Sequence, residues 1–294
     1  MIGESLQSLL RQDYRGSFSV IVVDDHSSDG TAALVRRMAA SGGQRRNVTV
    51  VPAPSLPPGW SGKLWAVQSG LTYVRSLAEQ PGYLLLTDAD ILHADDSLTN
   101  LVRRVRGGLV LASLMATLRC ASFAEHALVP AFVFFFQMLY PFAWVTRADR
   151  TTAAAAGGCM LVDRRALFEA GGIESIHGEL IDDCALARLL KRRGGSIWLG
   201  LGTRVGSIRP YGSVAEIGRM VARSAYTQLG YSPWMLLGAT AAMLVTFVAP
   251  PLLAIFARGV PQVLGAAAWA LMVVGVQPNL RFYRVSRWWG GGLP

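Results

Sequence analysis

The sequence predicts an α/β domain with a mostly parallel sheet, followed by helices that cross a membrane. Short apolar runs that end in polar or acidic residues alternate with segments of helical period, which is typical of βα units. Residues 232–257 and 259–280 carry no charge, and each run is long enough to span a bilayer. Of the 294 residues, 52% are hydrophobic and only 16% are charged, a composition too apolar for an ordinary soluble enzyme.

The charge balance favours a membrane over nucleic acid as the partner. The net charge is +9, and Lys63 and Lys191 are the lysines beside 26 arginines. The arginines are dispersed, without a basic helix interleaved with aromatic residues, so we expect an anionic membrane face and no nucleic acid. Cys120, Cys159 and Cys184 are odd in number and widely spaced, which indicates buried residues of a reducing compartment and no disulfide or metal framework.

The first part of the chain predicts a helix followed by a βα unit. Residues 2–10 carry apolar side chains at helical spacing, and the apolar run 18–23 is a candidate buried strand. Asp24 and Asp25 follow this strand, before a helix over 32–40. A helix cap accounts for the later polar residues of the loop, whereas these two acids stand at the carboxyl end of the strand, where ligands bind in open α/β sheets.

Lys63 closes the loop between the next predicted strand and helix. Residues 48–51 form a third short strand, and the stretch 54–62 is too rich in Pro, Gly and Ser to be regular. Because the loop glycines let a ligand approach the backbone, Lys63 at the start of the helix 64–77 could reach a diphosphate. The alternative is an exposed lysine at a helix start.

The stretch Tyr83-Leu-Leu-Leu-Thr-Asp88-Ala-Asp90 is the central feature of the sequence. It is an apolar run that stops at two carboxylates, as expected for a buried strand that delivers acids to its carboxyl end. Both acids can turn toward one divalent cation or one sugar-phosphate, because Mg²⁺ takes oxygen ligands and keeps substrate phosphates in its shell. The alternative is an Asx-turn that caps the next helix.

Further elements continue the alternation of strands and helices. We predict helices over 97–106, 165–170 and 215–223 and strands over 109–115, 157–162 and 196–201. Asp182 and Asp183 open another helix, with leucines along one face. Because carboxylates in a first helical turn are favoured by the helix dipole, capping is an alternative to a chemical role for this pair.

The arginines near the terminal spans place the preceding domain in the cytoplasm. Arg219 and Arg223 precede the spans, one arginine lies between them, and three follow. Under the positive-inside tendency, these basic flanks are cytoplasmic, which predicts a multi-pass protein of the cell (inner) membrane. The expected divisions are a catalytic domain over 1–225 and a membrane region over 226–294, with spans at about 233–257 and 260–280.

A third charge-free run, residues 127–146, is near the minimum length for a membrane span. Pro130 and Pro141 lie inside it, so a straight helix is not expected. If this run crossed alone, Asp90 and Asp183 would face opposite sides of the membrane. We therefore predict that it is interfacial or re-entrant, or that it packs against the terminal spans.

Four motifs occur in a fixed order along the chain. They are Asp24-Asp25-His-Ser-Ser-Asp-Gly-Thr, Thr87-Asp88-Ala-Asp90, Gly157-Gly158 with the later Arg164-Arg165-Ala-Leu, and Ile181-Asp182-Asp183. This ordered set resembles the family 2 glycosyltransferases of the GT-A fold. In addition, Trp60-Ser-Gly-Lys63-Leu-Trp65-Ala, Arg223-Ser-Ala-Tyr-Thr-Gln-Leu-Gly-Tyr and the terminal spans are similar to the hopene-associated branch, found with hopanoid biosynthesis.

The resemblance implies a binding role for the acids and the lysine of the first three motifs. Asp25, with Asp24, would contact the nucleotide base or ribose, and Lys63 would lie near the diphosphate. Asp88 and Asp90 would form the Asp-x-Asp motif that binds the nucleotide and its Mg²⁺ or Mn²⁺. Gly158 would line the substrate site.

The resemblance also implies a catalytic role for the last motif. Asp183 would be the general base, and Asp182 stands in the place of the glutamate of the family's Glu-Asp pair. Arg223 would match the arginine of a Gln-x-x-Arg-Trp motif, although Met220 and Ser224 stand where that motif has Gln and Trp.

The function that the resemblance implies is an inverting, metal-dependent transfer of a sugar from a nucleotide-sugar, such as a UDP-sugar, to a lipid-like acceptor such as a hopanoid. One alternative is a membrane-anchored remnant that binds nucleotide without turnover. Another is a phosphatase of the haloacid dehalogenase type, whose Asp-x-Asp resembles Asp88 and Asp90. That family has Thr or Val where Leu92 stands.

We also expect the chain to lack the first strand of its sheet and further residues at its carboxyl end. In the resembled family the sheet starts with a strand that supplies part of the nucleotide pocket, whereas Met1 opens onto a helix. A gap beside residues 18–23 is therefore predicted, with low activity unless about 10 to 40 upstream residues are restored.

Overall fold

The computed structural model describes residues 1–41 and 47–291, and for Ser41 and Arg223 it describes only the backbone. The chain forms two compact units. The first combines residues 1–118 with 140–209, and the second combines 119–139 with 210–294. These units differ from the division expected at residue 225, because the run 119–139 and the segment from 210 onward belong to the second unit.

The order of elements agrees with the predicted alternation of strands and helices. The strands are β1 (Ser19–Asp24), β2 (Asn47–Pro52), β3 (Tyr83–Thr87), β4 (Ile91–His93), β5 (Leu111–Thr117), β6 (Cys159–Asp163) and β7 (Ile197–Ser207). The helices are α1 (Ile2–Leu10), α2 (Thr31–Ser41), α3 (Gly62–Arg75), α4 (Ser97–Arg106), α5 (Phe123–Leu139), α6 (Phe142–Val145), α7 (Arg164–Glu169), α8 (Asp182–Arg192), α9 (Val214–Gln228), α10 (Pro233–Met243), α11 (Ala249–Phe256) and α12 (Val260–Phe282). Strand β4 was not predicted, since three residues carry no periodicity.

The first unit contains two sheets. Strands β1 and β2 pair in parallel, and the larger sheet has the order β3-β6-β5-β7-β4. In the larger sheet β5 and β7 are parallel, while the other neighbouring pairs are antiparallel. The prediction of a mostly parallel sheet is therefore wrong for this sheet. A continuous apolar run indicates burial on both faces but leaves the direction of the strand open.

The gap expected beside residues 18–23 is present. Among the described residues, β1 pairs only with β2, and β3 pairs only with β6. A cavity of about 870 Å³ lies between them, lined by Val20 and Val22 of β1, by Leu84 and Leu86 of β3 and by Leu6 of α1. The two sheets are consequently separated at this point by an apolar cleft.

Helix α4 covers the larger sheet because its apolar residues recur at helical spacing. Leu98, Leu101, Val102 and Val105 pack in one cluster with residues of β5 and β6. The arginines of α4 fall on other faces, and the guanidinium of Arg104 lies 3.9 Å from the ring centroid of Trp198 in β7. This packing of α4 stabilises the larger sheet. Asp88 and Asp90 follow strand β3 of the same sheet.

Three helical segments of the described chain are long and apolar enough to cross a membrane. They are Phe123–Val145, Pro233–Phe256 and Val260–Phe282. The second of them passes through a π-helical turn at Leu244–Val248, just before Pro250 and Pro251. Since proline lacks an N–H group, the regular helical hydrogen bonds cannot continue there, and a wider turn results.

In the second unit, α5 packs against the terminal helices. The rings of Phe135 and Phe247 lie 5.2 Å apart, and a Cβ built at Gly275 of α12 would lie 4.0 Å from the ring of Phe134. Packing against the terminal spans is one of the arrangements predicted for residues 127–146.

Gly265 lets α11 and α12 approach closely. A Cβ at this position would lie 2.7 Å from Leu253 Cβ and 2.8 Å from the carbonyl oxygen of Pro250, closer than such atoms can come. Small residues serve this purpose where apolar helices pack side by side.

We expect Gly265→Leu to force α11 and α12 apart, because part of the contact is with backbone that cannot move alone. Overpacking of this kind typically costs roughly 1–3 kcal/mol. Thermal unfolding of the detergent-solubilised protein should show a lower midpoint. The matched control is Gly238→Leu in α10, where nothing lies within 4 Å of the added Cβ. Equal midpoints for the two variants would contradict the close packing.

Candidate active site

The turn between β3 and β4 carries Asp88 and Asp90 and is held from beneath by Thr87. The Thr87 hydroxyl donates to the carbonyl oxygen of Gly158 at 2.9 Å and lies 2.9 Å from His93 Nε2. Since the single hydroxyl proton goes to Gly158, the His93 ring donates from Nε2 to the Thr87 oxygen. The residues before and after the acid turn are thus tied together.

Asp90 is fixed against the last strand of the larger sheet. Its carboxylate accepts a hydrogen bond from the Ser207 hydroxyl at 2.9 Å, and its carbonyl oxygen accepts one from the backbone N–H of Ile208 at 3.0 Å. The hydrogen bond from Ser207, the last residue of β7, therefore orients the Asp90 carboxylate through one of its oxygens.

Lys63 links Asp88 to the second acidic pair. It lies in the first turn of α3, which the Ser61 side chain caps by accepting from the backbone N–H of Leu64 at 3.4 Å. Its Nζ lies 3.3 Å from Asp88 Oδ1 and 3.2 Å from Asp182 Oδ2. The Lys63 and Asp88 side chains are 45% and 41% exposed, so the bridge is open to a ligand.

Asp183 stands beside this bridge and is oriented by backbone N–H groups. Its Oδ2 accepts from Gly157 at 2.8 Å and its Oδ1 from Cys184 at 2.7 Å. A Cβ at Gly157 would lie 2.8 Å from Lys63 Nζ and 3.4 Å from Asp183 Oδ2. Glycine thus leaves room for the end of the Lys63 side chain beside this carboxylate.

The cluster shifts the pKa of its own members. Burial and the neighbouring charge of Asp182 raise the pKa of the Asp183 carboxyl, against the lowering effect of its backbone donors. Burial likewise raises the pKa of Asp88 against the lowering effect of Lys63, and Asp90 and Asp182 raise it by smaller amounts. For Lys63, burial acts to lower the pKa, but the three surrounding carboxylates outweigh it and raise the pKa.

The first motif contributes one carboxylate to the same edge. A Cβ at Gly62 would lie 3.5 Å from Asp25 Oδ2, so this carboxylate is next to the start of α3 and to Lys63. Asp24 instead turns into its own loop, where it accepts from the backbone N–H of Ser27 at 3.3 Å and from the Ser27 hydroxyl. Its carboxylate thus stabilises the local loop through a side-chain to backbone hydrogen bond.

Gly158 and Arg223 are the remaining residues predicted to bind substrate. A Cβ at Gly158 would lie 3.1 Å from Ile91 Cδ1, and its carbonyl oxygen supports Thr87, so its visible role is to let the acid turn pack. The backbone of Arg223 belongs to α9 in the second unit, but its side chain is outside the described residues. A substrate role for either residue stays a prediction.

Sequence reasoning missed three residues that hold the site: Thr87, His93 and Ser207. Thr87 and His93 flank the two acids of the turn in sequence. Polar residues on both sides of the acids could have indicated a hydrogen bond across the turn. Ser207 lies 117 residues from Asp90, and no local pattern indicates the pairing.

The donor set fits a divalent cation only if a substrate completes the coordination shell. Among the described residues there is no group of three or more His, Cys, Asp or Glu side chains placed to hold a metal. Asp88 and Asp90 supply two carboxylates on one turn, and Mg²⁺ is commonly held by one or two carboxylates together with phosphate oxygens. The pair therefore suits a cation that arrives with a phosphorylated ligand.

The charged cluster faces open space. Lys63, Asp88, Gly157 and Asp182 belong to the lining of the 870 Å³ cavity, together with many apolar side chains. Lys63 and Asp88 are about half exposed, so a ligand with phosphate and hydroxyl groups can reach these charged groups.

Comparison with known proteins identifies the class of protein. Residues 1–169, more than half of the chain, match the model of Glycosyl transferase family 2. An N-acetylglucosaminyltransferase of Rhizobium leguminosarum bv. viciae is 30% identical over 115 residues, covering 39% of this chain and 24% of that protein. The chain thus spans about a quarter of that relative. Mouse xyloside xylosyltransferase 1, solved in its apo form, aligns with a TM-score of 0.38 and 13% identity over 68% of this chain and 78% of the other.

The family match supports glycosyl transfer as the activity in general terms. The chain belongs to glycosyl transferase family 2. Its mixed α/β architecture is consistent with the GT-A fold. Asp88 and Asp90 alone left two interpretations open, a glycosyltransferase and a phosphatase. The family match favours the glycosyltransferase.

His93 should make the stability of the first unit depend on pH. The residue is 4% exposed, and burial lowers the pKa of its ring to about 4 from 6.5. Since the unfolded chain binds a proton there that the folded chain does not, stability is complete above about pH 6.5 and is lost as the pH falls toward 4. The loss should reach about 3 kcal/mol.

We expect His93→Gln to flatten this pH dependence, measured by thermal unfolding between pH 7 and pH 4.5. His26→Asn is the control, because His26 is exposed and its positive φ of 56° is tolerated by asparagine. A His93→Gln profile as steep as that of the wild type would show that other groups cause the dependence.

Proposed function

We propose that this chain transfers a sugar from a UDP-sugar to the hydroxyl group of a lipid-like acceptor, with inversion at the anomeric carbon. The observation that carries the proposal is the bridge of Lys63 between Asp88 and Asp182, with Asp183 directly beside it. An ammonium group for a diphosphate and a carboxylate for a proton thereby lie close together. Inverting transfer needs both functions.

The donor half of the site consists of Lys63, Asp88, Asp90, Asp24 and Asp25. Lys63 would exchange part of its contact with the carboxylates for the diphosphate, while Asp25, with Asp24, would bind the base or ribose. A divalent Mg²⁺ or Mn²⁺ held by Asp88 and Asp90 would supply charge neutralisation for the departing diphosphate. In this arrangement the lysine and the acid turn orient the donor.

The acceptor half is centred on Asp183, with Asp182 beside it. As the acceptor oxygen bonds to the anomeric carbon from the face opposite the diphosphate, its proton passes to the Asp183 carboxylate and the bond to the diphosphate oxygen breaks. A raised pKa suits a group that must take up a proton near neutral pH. The backbone N–H groups of Gly157 and Cys184 keep this carboxylate in position.

We further propose that the acceptor lies in the cell (inner) membrane, with the first unit on the cytoplasmic side. The three apolar helical segments support membrane association by length and composition. Leu111 of β5 pairs with Val162 of β6, although α5 lies between them in sequence. A sheet cannot be divided by a bilayer, so the α5 segment would have to enter and leave the membrane on the same side.

A hopanoid is the candidate acceptor within this proposal. The support is the motif from Trp60 to Ala66, the stretch from Arg223 to Tyr231 and the terminal apolar helices, which are similar to the hopene-associated branch. Arg223 would assist at the acceptor side if the partial match to the Gln-x-x-Arg-Trp motif reflects a shared role.

The proposal is tested with a panel of nucleotide-sugars and membrane extract, with release of UDP and the mass of labelled lipid as readouts. UDP-N-acetylglucosamine belongs in the panel because a relative is named for that sugar. We expect metal-dependent release of UDP with one sugar and a lipid product heavier by that sugar. Binding of UDP without release would favour the non-catalytic remnant, and release of inorganic phosphate from phosphorylated sugars would favour the phosphatase.

Asp183→Asn should abolish transfer while leaving UDP-sugar binding nearly intact, because a base acts on the acceptor and not on the diphosphate. Loss of a general base typically lowers the rate by roughly 10²- to 10⁴-fold. Turnover and the dissociation constant of the UDP-sugar are measured on the same preparation. The matched control is Asp149→Asn, a surface carboxylate paired with Arg147 in the same unit. Near wild-type turnover in Asp183→Asn would mean that this carboxylate only caps α8.

A further inference from the structure

An aromatic cluster flanks the charged site in the first unit. The rings of Trp60 and Trp65 meet edge to face with 5.2 Å between centroids, and the Trp60 ring lies 5.4 Å from the ring of His177. Both tryptophans are half-buried and His177 is exposed, so part of the cluster is open to a ligand. The binding of a diphosphate and the removal of a proton make no use of these rings.

The cluster is held in place by hydrogen bonds around its rim. Trp65 Nε1 donates to the carbonyl oxygen of Pro54 at 2.7 Å, and the backbone N–H of Ser61 donates to the carbonyl oxygen of His177 at 3.3 Å. His177 Nδ1 lies 2.8 Å from the carbonyl oxygen of Glu174. The rings therefore form a rigid surface, and a rigid surface binds a ligand without a large loss of side-chain freedom.

Both segments of the cluster lead directly into the charged residues. Trp60 precedes Lys63 by three residues, and His177 precedes Asp182 by five, while Lys63 Nζ and Asp182 Oδ2 are 3.2 Å apart. A Cβ at Gly59, whose φ is +83°, would lie 3.9 Å from the His177 ring, so the two loops are in contact. The aromatic rings therefore stand on the two segments that lead to Lys63 and Asp182, where the diphosphate would bind.

The chemistry of the cluster matches a sugar ring. A pyranose presents polarised C–H groups on its faces and hydroxyl groups around its edge. The C–H groups are attracted to the negative face of an aromatic ring, and the carboxylate and imidazole groups nearby can bind hydroxyl groups. In a UDP-sugar the pyranose is the group attached to the diphosphate.

We propose that Trp60, supported by Trp65 and His177, is the platform on which the pyranose of the donor stacks, and that it thereby determines which sugar is accepted. This inference rests on the proposed function and adds to it a residue that contacts the sugar itself. Lys63 and the acid turn contribute equally to the binding of every UDP-sugar, because they contact the diphosphate. The contribution of Trp60 to the affinity depends on which sugar is attached.

The test compares the dissociation constants of UDP, UDP-N-acetylglucosamine and UDP-glucose for the 294-residue chain in detergent with Mg²⁺, measured by calorimetry. The informative quantity is the ratio of the UDP constant to the UDP-sugar constant. We expect Trp60→Ala to lower this ratio by roughly 3- to 10-fold for the preferred sugar. The dissociation constant of UDP itself should stay within about twofold of the wild-type value, which also shows that the variant is folded.

Two further variants separate stacking from other effects. Trp60→Phe retains an aromatic face and should restore most of the ratio. Trp144→Ala removes another tryptophan of the same unit, 46% exposed and stacked with Arg150, and should leave the ratio unchanged.

The outcomes distinguish this inference from the proposed function. A ratio that is the same in Trp60→Ala and in the wild type would overturn the sugar platform, as would equal losses of affinity for UDP and UDP-sugars. The proposed function would survive either result. A wild-type chain that binds neither UDP nor a UDP-sugar would overturn the proposed function and the platform together.

Discussion

The ammonium group of Lys63 is the charge on which the site depends. Asp88, Asp182 and Asp183 are gathered at one edge of the first unit, and carboxylates so close together repel one another. Lys63 contacts two of them at 3.3 and 3.2 Å and is influenced by the third. The start of α3, the end of β3 and the start of α8 can therefore converge without leaving an uncompensated charge.

The direction of β6 makes this convergence possible. Because β6 runs antiparallel to β3, its first residue, Cys159, pairs with Thr87 at the last position of β3. The preceding Gly157 then lies beside the acid turn, where it donates to Asp183 and leaves room for Lys63. In a uniformly parallel sheet, this segment would emerge at the opposite edge, far from the carboxylates.

Much of the fold could be predicted from the sequence because burial and periodicity are local properties. The apolar run before Asp88 and the helical spacing in 97–106 both correspond to observed elements, β3 and α4. Strand direction depends on long-range pairing, which is why the antiparallel β6 was missed. The same division applies to the site: Lys63 and the four acids Asp88, Asp90, Asp182 and Asp183 stand at recognisable ends of elements, whereas Ser207 reaches Asp90 only through the pairing of β4 with β7.

The interleaving of the two units has a consequence for biosynthesis. Strand β5 pairs with β6 and β7, which the ribosome makes only after α5. At roughly 5–20 residues per second, the nascent chain exposes the apolar α5 for several seconds before its sheet can close. An early encounter of α5 with the translocation machinery or the lipid surface would shield both this helix and the unpaired β5 from aggregation. The order of the elements along the chain thus leaves β5 unpaired and α5 exposed until the later segments have been made.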